Sequence, residues 1–211
     1  MEQEEIDAVE KYLFLLLYAE GPKKAKYEPI LGNLWMQKEM FLVFRNIPSA
    51  EEEFEGYLLG PFSELVDEYA SQLIVSEYVN KDSEGLKLTE KGRKIASKLW
   101  EGEKDETKQM IADVKSLLND MNRDELLVFI YSTFKEFTEE SEIKEEIERK
   151  RVDASVSLFK KHKISLKRAA ILAKLPVEEY VALLKSMRIP IYEYSDEELS
   201  EELSAGEAHS S

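Results

Sequence analysis

The sequence predicts a mostly α-helical protein: a winged-helix-like domain with a small β-hairpin wing, followed by a C-terminal helix-turn-helix. Three observations predict it. Apolar residues recur at helical spacing along most of the chain. The stretch from Glu77 to Leu88 breaks that rhythm, with two short strand-like runs around a polar turn containing Gly85. Between Ser165 and Met187, two short apolar-faced helices flank the pair Leu175-Pro176.

Taken in order, residues 4 to 19 place Val9, Leu13, Leu16 and Leu17 on one face with Ile6, and Phe14 and Leu15 widen the stripe, which predicts a core helix stopped by Gly21-Pro22. The basic connector Lys23, Lys24, Lys26 leads into a second helix, Leu34 to Phe44, ended by Ile47-Pro48. Glu51 to Glu55 is expected as an exposed acidic loop, and Tyr57 to Ser63 as a short turn. Ser63 is placed to cap a third helix reaching Ser76, with Leu65, Tyr69 and Leu73 facing inward. After the hairpin, Thr89 caps a helix to Trp100 that turns Ile95 and Leu99 inward. Helix, helix, helix, hairpin, helix is the order of a winged helix.

Residues 103–120 and 123–137 form two more amphipathic helices, read as a bracing or dimerising pair with Asp105 and Asn122 near their starts. A charged connector from Glu139 continues into Val152, Val156 and Phe159. Ser165 then caps a helix from Leu166 to Ala173, and Val177 to Met187 follows Pro176. Four regions are expected: 1–102, a winged-helix-like domain; 103–148, bracing or dimerisation helices; 149–192, a helix-turn-helix module; and 193–211, an acidic tail.

Charge separates these regions. The 211 residues carry 29 Lys and Arg against 44 Asp and Glu, a net −15, which disfavours nonspecific nucleic-acid binding by the molecule as a whole. Yet Arg149 to Lys174 holds nine basic residues and the single acid Asp153, while the chain from Glu193 onward holds seven acids and no Lys or Arg. The basic island predicts a phosphate-facing or acid-binding surface, and a solvated helix face accounts for it equally. Charged residues make up 35% of the chain, and only nine are Asn or Gln, a balance like that of hyperthermophile proteins.

Several chemistries are excluded. With no cysteine there is no disulfide framework, thiolate metal site or thiol nucleophile. The longest apolar run, Tyr12 to Ala19, falls far short of the roughly 20 residues of a membrane span. An acidic N-terminus argues against a signal peptide, so no membrane association and a cytoplasmic location are expected. Eight scattered glycines form no phosphate-cradling loop. His162 is the one histidine outside the tail and is read as a helix-end residue, so no enzyme activity, metal or cofactor is expected.

Two resemblances add to this. Tyr57-Leu58-Leu59-Gly60-Pro61-Phe62-Ser63 with Leu65 and Leu73, then Leu88-Thr89 with Gly92, then Glu125-Leu126-Leu127 with Phe129-Ile130-Tyr131 and Ser141, Ile143, Lys144, together resemble the YwgA-type proteins and the related Panacea or SocA-like antitoxin-associated domains over residues 5 to 145. That resemblance implies a helical, winged-helix-like domain and no known reaction. Residues 152 to 203, with Leu158-Phe159-Lys160, Ile164-Ser165-Leu166, Ala169-Ala170, Leu172-Ala173, Glu179-Tyr180, Leu183-Leu184 and Ile189-Pro190-Ile191-Tyr192, are similar to a small uncharacterised family of antitoxin-like proteins of archaea and cyanobacteria. It implies partnership with a toxin nuclease of the PIN-domain type, a DNA-binding-like unit from Ser165 to Met187, and an acidic tail that binds the toxin. Here that unit follows a large helical domain.

Two functions are therefore expected. One is a non-enzymatic regulator of the antitoxin or transcription-factor type, homodimeric, binding DNA through Arg149, Lys150, Arg151, Lys160, Lys161, Lys163, Lys167, Arg168 and Lys174. Lys23, Lys24 and Lys26, together with Lys38, Lys81, Lys91 and Arg93, are backbone-contact candidates in the first domain. The alternative is an interaction adaptor that binds a protein such as a toxin nuclease without binding DNA. Basic side chains that converge near Val177 to Met187 favour the first, and basic side chains paired internally favour the second.

Overall fold

The fold is seen in a computed structural model, which describes residues 6–47, 54–137 and 143–191. The expected acidic loop at 51–53, the connector at 139–142, and the acidic tail with His209 lie outside the described residues. Two compact units are present: residues 1–122 with 136–142, and residues 123–135 with 143–211. The chain thus passes from one unit to the other three times.

In the first unit, Asp7 caps α1 (Ala8–Tyr18) by accepting from Val9 N at 2.8 Å. The run Leu13 to Leu17 is buried around the whole helix, which places α1 at the centre of the unit, against α2 (Asn33–Arg45), α3 (Glu64–Val75), α4 (Glu90–Gly102) and α5 (Asp105–Leu118). Before α2, Ile30 exchanges two backbone hydrogen bonds with Leu86, at 2.8 and 2.9 Å. Leu86 belongs to the hairpin of β3 (Val79–Asp82) and β4 (Gly85–Leu88), paired Val79 to Leu88. A Cβ on Gly85, whose φ is +126°, would meet the Ile30 carbonyl oxygen at 2.0 Å, so only glycine permits this approach. Ser63 caps α3 and Thr89 caps α4, as expected.

Three expectations are corrected here. Tyr57 to Ser63 is not a simple turn: β1 (Glu55–Tyr57) and β2 (Gly60–Phe62) pair as a second antiparallel hairpin. The buried stripe of α3 is Val66, Ala70 and Leu73, whereas Leu65 is 38% exposed. The cap fixes the rotation of the helix, because Gln37 receives the Ser63 N–H and donates to its carbonyl, both at 3.0 Å, anchoring the start of α3 to α2. In α4, likewise, Gly92 and Ala96 are buried while Ile95 and Leu99 are half-buried.

The second unit comprises α6 (Arg123–Thr133), α7 (Lys144–Lys160), α8 (Leu166–Ala173) and α9 (Val177–Ser186). Val156, Phe159, Leu166, Ala169, Ala170, Ala173, Tyr180, Val181 and Leu184 form its core. Ser165 caps α8 by accepting from Arg168 N at 3.2 Å. The helix ends at Lys174 in the left-handed conformation, φ 56°, with Lys174 N bonded to Ile171 O and Leu175 N to Ala170 O, the two bonds of a Schellman motif. His162 closes α7 in the same way, at φ 55°, which is the helix-end role expected of it. The two helices of residues 103–137 belong to different units, α5 to the first and α6 to the second.

The chain is mostly helical, with two small antiparallel hairpins among the described residues. None of the described helices is long and apolar enough to cross a membrane.

Candidate functional site

The basic island falls on α7, α8 and the loop between them, and most of its charges have partners within the second unit. Arg151 is buried; its Nη1 donates to Ser132 Oγ at 2.8 Å and to Leu172 O at 2.9 Å, and its Nε lies 3.0 Å from Glu148 Oε2. It is a structural bolt joining α6, α7 and α8, out of reach of any phosphate. Lys150 bridges Asp124 at 2.7 Å and Glu146 at 2.9 Å, and the hydrogen bonds hold both the Lys150 ammonium and the Glu146 carboxylate in their charged forms over a wider pH range than usual. Lys174 meets Glu148 at 2.8 Å. Burial works to raise the Glu148 carboxyl, but the Lys174 hydrogen bond and the Arg151 charge outweigh it and leave it below the usual range.

Lys161 reaches Glu125, which is 1% exposed, at 2.7 Å, and Ser157 Oγ donates to the same carboxylate at 2.5 Å. Arg168 hydrogen-bonds Thr133 Oγ1. Arg149, Lys160 and Lys167 are exposed, and no ion pair holds them among the described residues. Lys163 is half-buried. The island is thus a set of cross-links between α6, α7 and α8 with three exposed cations left over. On α9, Glu178 and Glu179 are exposed in the first turn, where they suit the helix dipole and oppose a phosphate.

In the first unit Lys23, Lys24 and Lys26 are exposed on a loop that Glu28 pins, its Oε1 accepting from Lys23 N and Ala25 N at 3.0 Å each. Lys26 sits over the Tyr18 ring, Arg93 over Tyr27 and Lys91 over Tyr78, so their charges rest on aromatic faces. Helix α3 presents Glu64, Glu68 and Gln72 to solvent, with Asp67 half-exposed, and the β3–β4 turn adds Asp82, Ser83 and Glu84.

Lys38 is corrected: it is not a surface cation. It is 2% exposed, donates to Pro61 O at 2.7 Å, and burial pushes its amine down to about 7. Sequence reasoning also missed two buried partners. Lys115, fully buried, donates to Leu17 O at 3.2 Å and Ala19 O at 3.0 Å, with its amine pushed down to about 8 by burial. Glu39 is fully buried with neither oxygen hydrogen-bonded, and burial drives its carboxyl well above the usual range despite the Lys115 charge. The one available signal was the spacing: Gln37, Lys38 and Glu39 sit on the buried faces of an otherwise apolar helix. No cluster of three or more His, Asp or Glu suited to a metal ion occurs among the described residues.

A family model described as an uncharacterised protein family, UPF0175, matches residues 135–208. The match covers α7, α8 and α9 but begins after α6, and it lends nothing to the resemblance of residues 5 to 145. No curated protein and no solved structure matches the chain.

Proposed function

We propose that this chain is a non-enzymatic interaction protein of the antitoxin type, which engages a protein partner through its surfaces and uses its helix-turn-helix-like units as scaffolds. The observation that carries this is the internal neutralisation of the basic island. Lys150, Arg151, Lys161 and Lys174 already face carboxylates of their own unit, so freeing them for DNA would break their pairings with Asp124, Glu125, Glu146 and Glu148. The order of α1, the Ile30 bridge, α2, α3, the β3–β4 hairpin and α4 supports a winged-helix reading of the first unit. In that reading α3 takes the place of the recognition helix, and its acids, with those of the hairpin turn, repel a duplex. The partner we favour is a toxin nuclease of the PIN-domain type, on the resemblance of residues 152 to 203, with the seven acids from Glu193 onward as the segment that meets its basic nucleic-acid cleft.

One observation favours DNA binding as a second reading. Arg149 and Lys160 are eleven residues apart, three helical turns, so they share a stripe of α7, and Lys167 follows on α8. One pair of experiments separates the readings. Full-length protein is titrated into labelled duplex DNA at several salt concentrations, and it is co-expressed with PIN-type nucleases of the same genome. The interaction reading expects a stable complex with silenced nuclease activity and no duplex binding at low salt. Duplex affinity that falls log-linearly with salt, and is lost when Arg149, Lys160 and Lys167 become Glu, overturns it.

A further inference from the structure

A cavity of about 250 Å³ lies in the first unit between α2, the β1–β2 hairpin and the start of α3. Its walls are apolar: Leu34 from α2, and Tyr57, Leu58, Leu59 and Phe62 from the hairpin. Tyr57 and Leu58 are 61% and 47% exposed, unusual for large apolar side chains, and they flank its mouth.

Its polar groups divide sharply. Both ends of the Gln37 amide are engaged by the Ser63 backbone. Asn33 donates to Asp67 at 3.2 Å and accepts from Lys81 at 3.3 Å, and Asp67 lies nearer solvent than Lys38. Lys38 is buried and only partly satisfied. Of its three N–H donors one is engaged, by the Pro61 carbonyl. No ion pair holds it among the described residues, and burial lowers its amine to about 7. Lys115, elsewhere in the same unit, has Glu39 and Glu28 acting on it. A buried ammonium without a counter-charge is costly, and here it lines an apolar cavity.

We propose that this cavity binds a small monocarboxylic acid with an apolar body. The carboxylate sits on Lys38 Nζ, supplying the missing counter-charge and accepting the free N–H groups, while the body packs against Leu34, Leu58, Leu59 and Phe62. An apolar acid fits better than a phosphate ester, which demands several cations where the cavity offers one. The volume equals that of about eight liquid waters and limits the ligand to the size of phenylacetate or a short branched fatty acid. An acid bound there restores full charge to an amine that burial leaves near neutrality. This site is independent of the partner-binding reading and stands or falls without it.

The test is calorimetric titration of the full chain with phenylacetate, isovalerate and the uncharged isostere phenylacetamide, beside NMR of ¹³Cε-labelled lysines. The expected result is saturable binding of an acid, at least tenfold tighter than phenylacetamide, with one lysine resonance that titrates near neutrality in the unbound protein and moves to higher pH on saturation. Lys38→Met is expected to lose at least tenfold in acid affinity, and Leu59→Trp, which fills the cavity and keeps the amine, to lose a similar amount. Equal affinity for acid and amide overturns the proposal, and so does acid binding that survives Leu59→Trp with the lysine resonance unmoved. The absence of binding by both acids at millimolar concentration overturns it as well.

Discussion

Replacing Lys38 by Met is predicted to stabilise the first unit at acid and neutral pH and to lose that advantage as the solution becomes alkaline. The lysine is 2% exposed, and its amine falls from 10.5 to about 7 on folding because burial disfavours the ammonium. Converted to free energy, that fall is a folding penalty of roughly 5 kcal/mol below pH 7. A folded pKa below the unfolded one means that the native state binds fewer protons between about 7 and 10.5, so wild-type stability rises with pH across that window. Methionine fills a similar volume without the charge but leaves the Pro61 carbonyl without its donor, a loss of about 1–3 kcal/mol. The net gain at pH 6 is therefore about 2–4 kcal/mol, shrinking by roughly 3 kcal/mol by pH 9. Urea denaturation at pH 6, 7.5 and 9 measures it. Both tryptophans, Trp35 and Trp100, lie in the first unit, so their fluorescence follows that unit alone. A variant that is less stable than wild type at pH 6, or whose difference from wild type does not change with pH, refutes the argument.

Three further outcomes follow from the same physics. Glu39→Gln should gain on wild type as pH rises from the ordinary carboxylate range, because a raised folded pKa makes wild-type stability fall there and Gln abolishes the titration; urea midpoints across pH 4 to 8 measure it. Lys161→Met should destabilise the second unit by about 2–4 kcal/mol, since it takes the ammonium away from the buried Glu125 carboxylate, whereas Lys160→Met on the exposed face should change stability by about 0.5 kcal/mol or less; circular-dichroism denaturation compares the pair. Gly85→Ala should cost about 3 kcal/mol or more, because the methyl collides with the Ile30 carbonyl, and loss of amide-exchange protection at Ile30 and Leu86 reports it.

What was legible in the sequence was local. Ser63, Thr89 and Ser165 announce their helices because a cap bonds a backbone N–H two or three residues on, and the bounds of α8 follow from its cap and from Pro176. Ends that depend on backbone strain were harder to see. Glu77, His162, Lys174 and Arg188 all take the left-handed conformation that usually advertises itself as glycine. The β1–β2 hairpin escaped because three-residue strands carry too little alternation to register.

The fate of charges was the least legible. Lys150, Lys161 and Lys174 look like one basic surface because their partners Asp124, Glu125 and Glu148 are 26, 36 and 26 residues away along the chain. Lys38 and Glu39 look like the polar face of α2, and only the packing of α1, α5 and the β1–β2 hairpin around that helix shows that it has no such face.

The threefold passage of the chain between the two units bears on how such a protein can be inherited. Helix α6 supplies Leu126, Leu127 and Ile130 to the interior and Asp124, Glu125 and Ser132 to the cross-links, yet it precedes the stretch that resembles UPF0175. A recombination breakpoint at residue 135 would transplant α7 to α9 without the helix that carries Asp124, Glu125 and Ser132 to their cations. The three helices would then arrive in a new host with Lys150 parted from Asp124, Arg151 from Ser132 and Lys161 from Glu125, a basic element more open than it is here. The same short sequence can thus be a buried cross-link in one chain and a charged surface in another, according to what was fused in front of it.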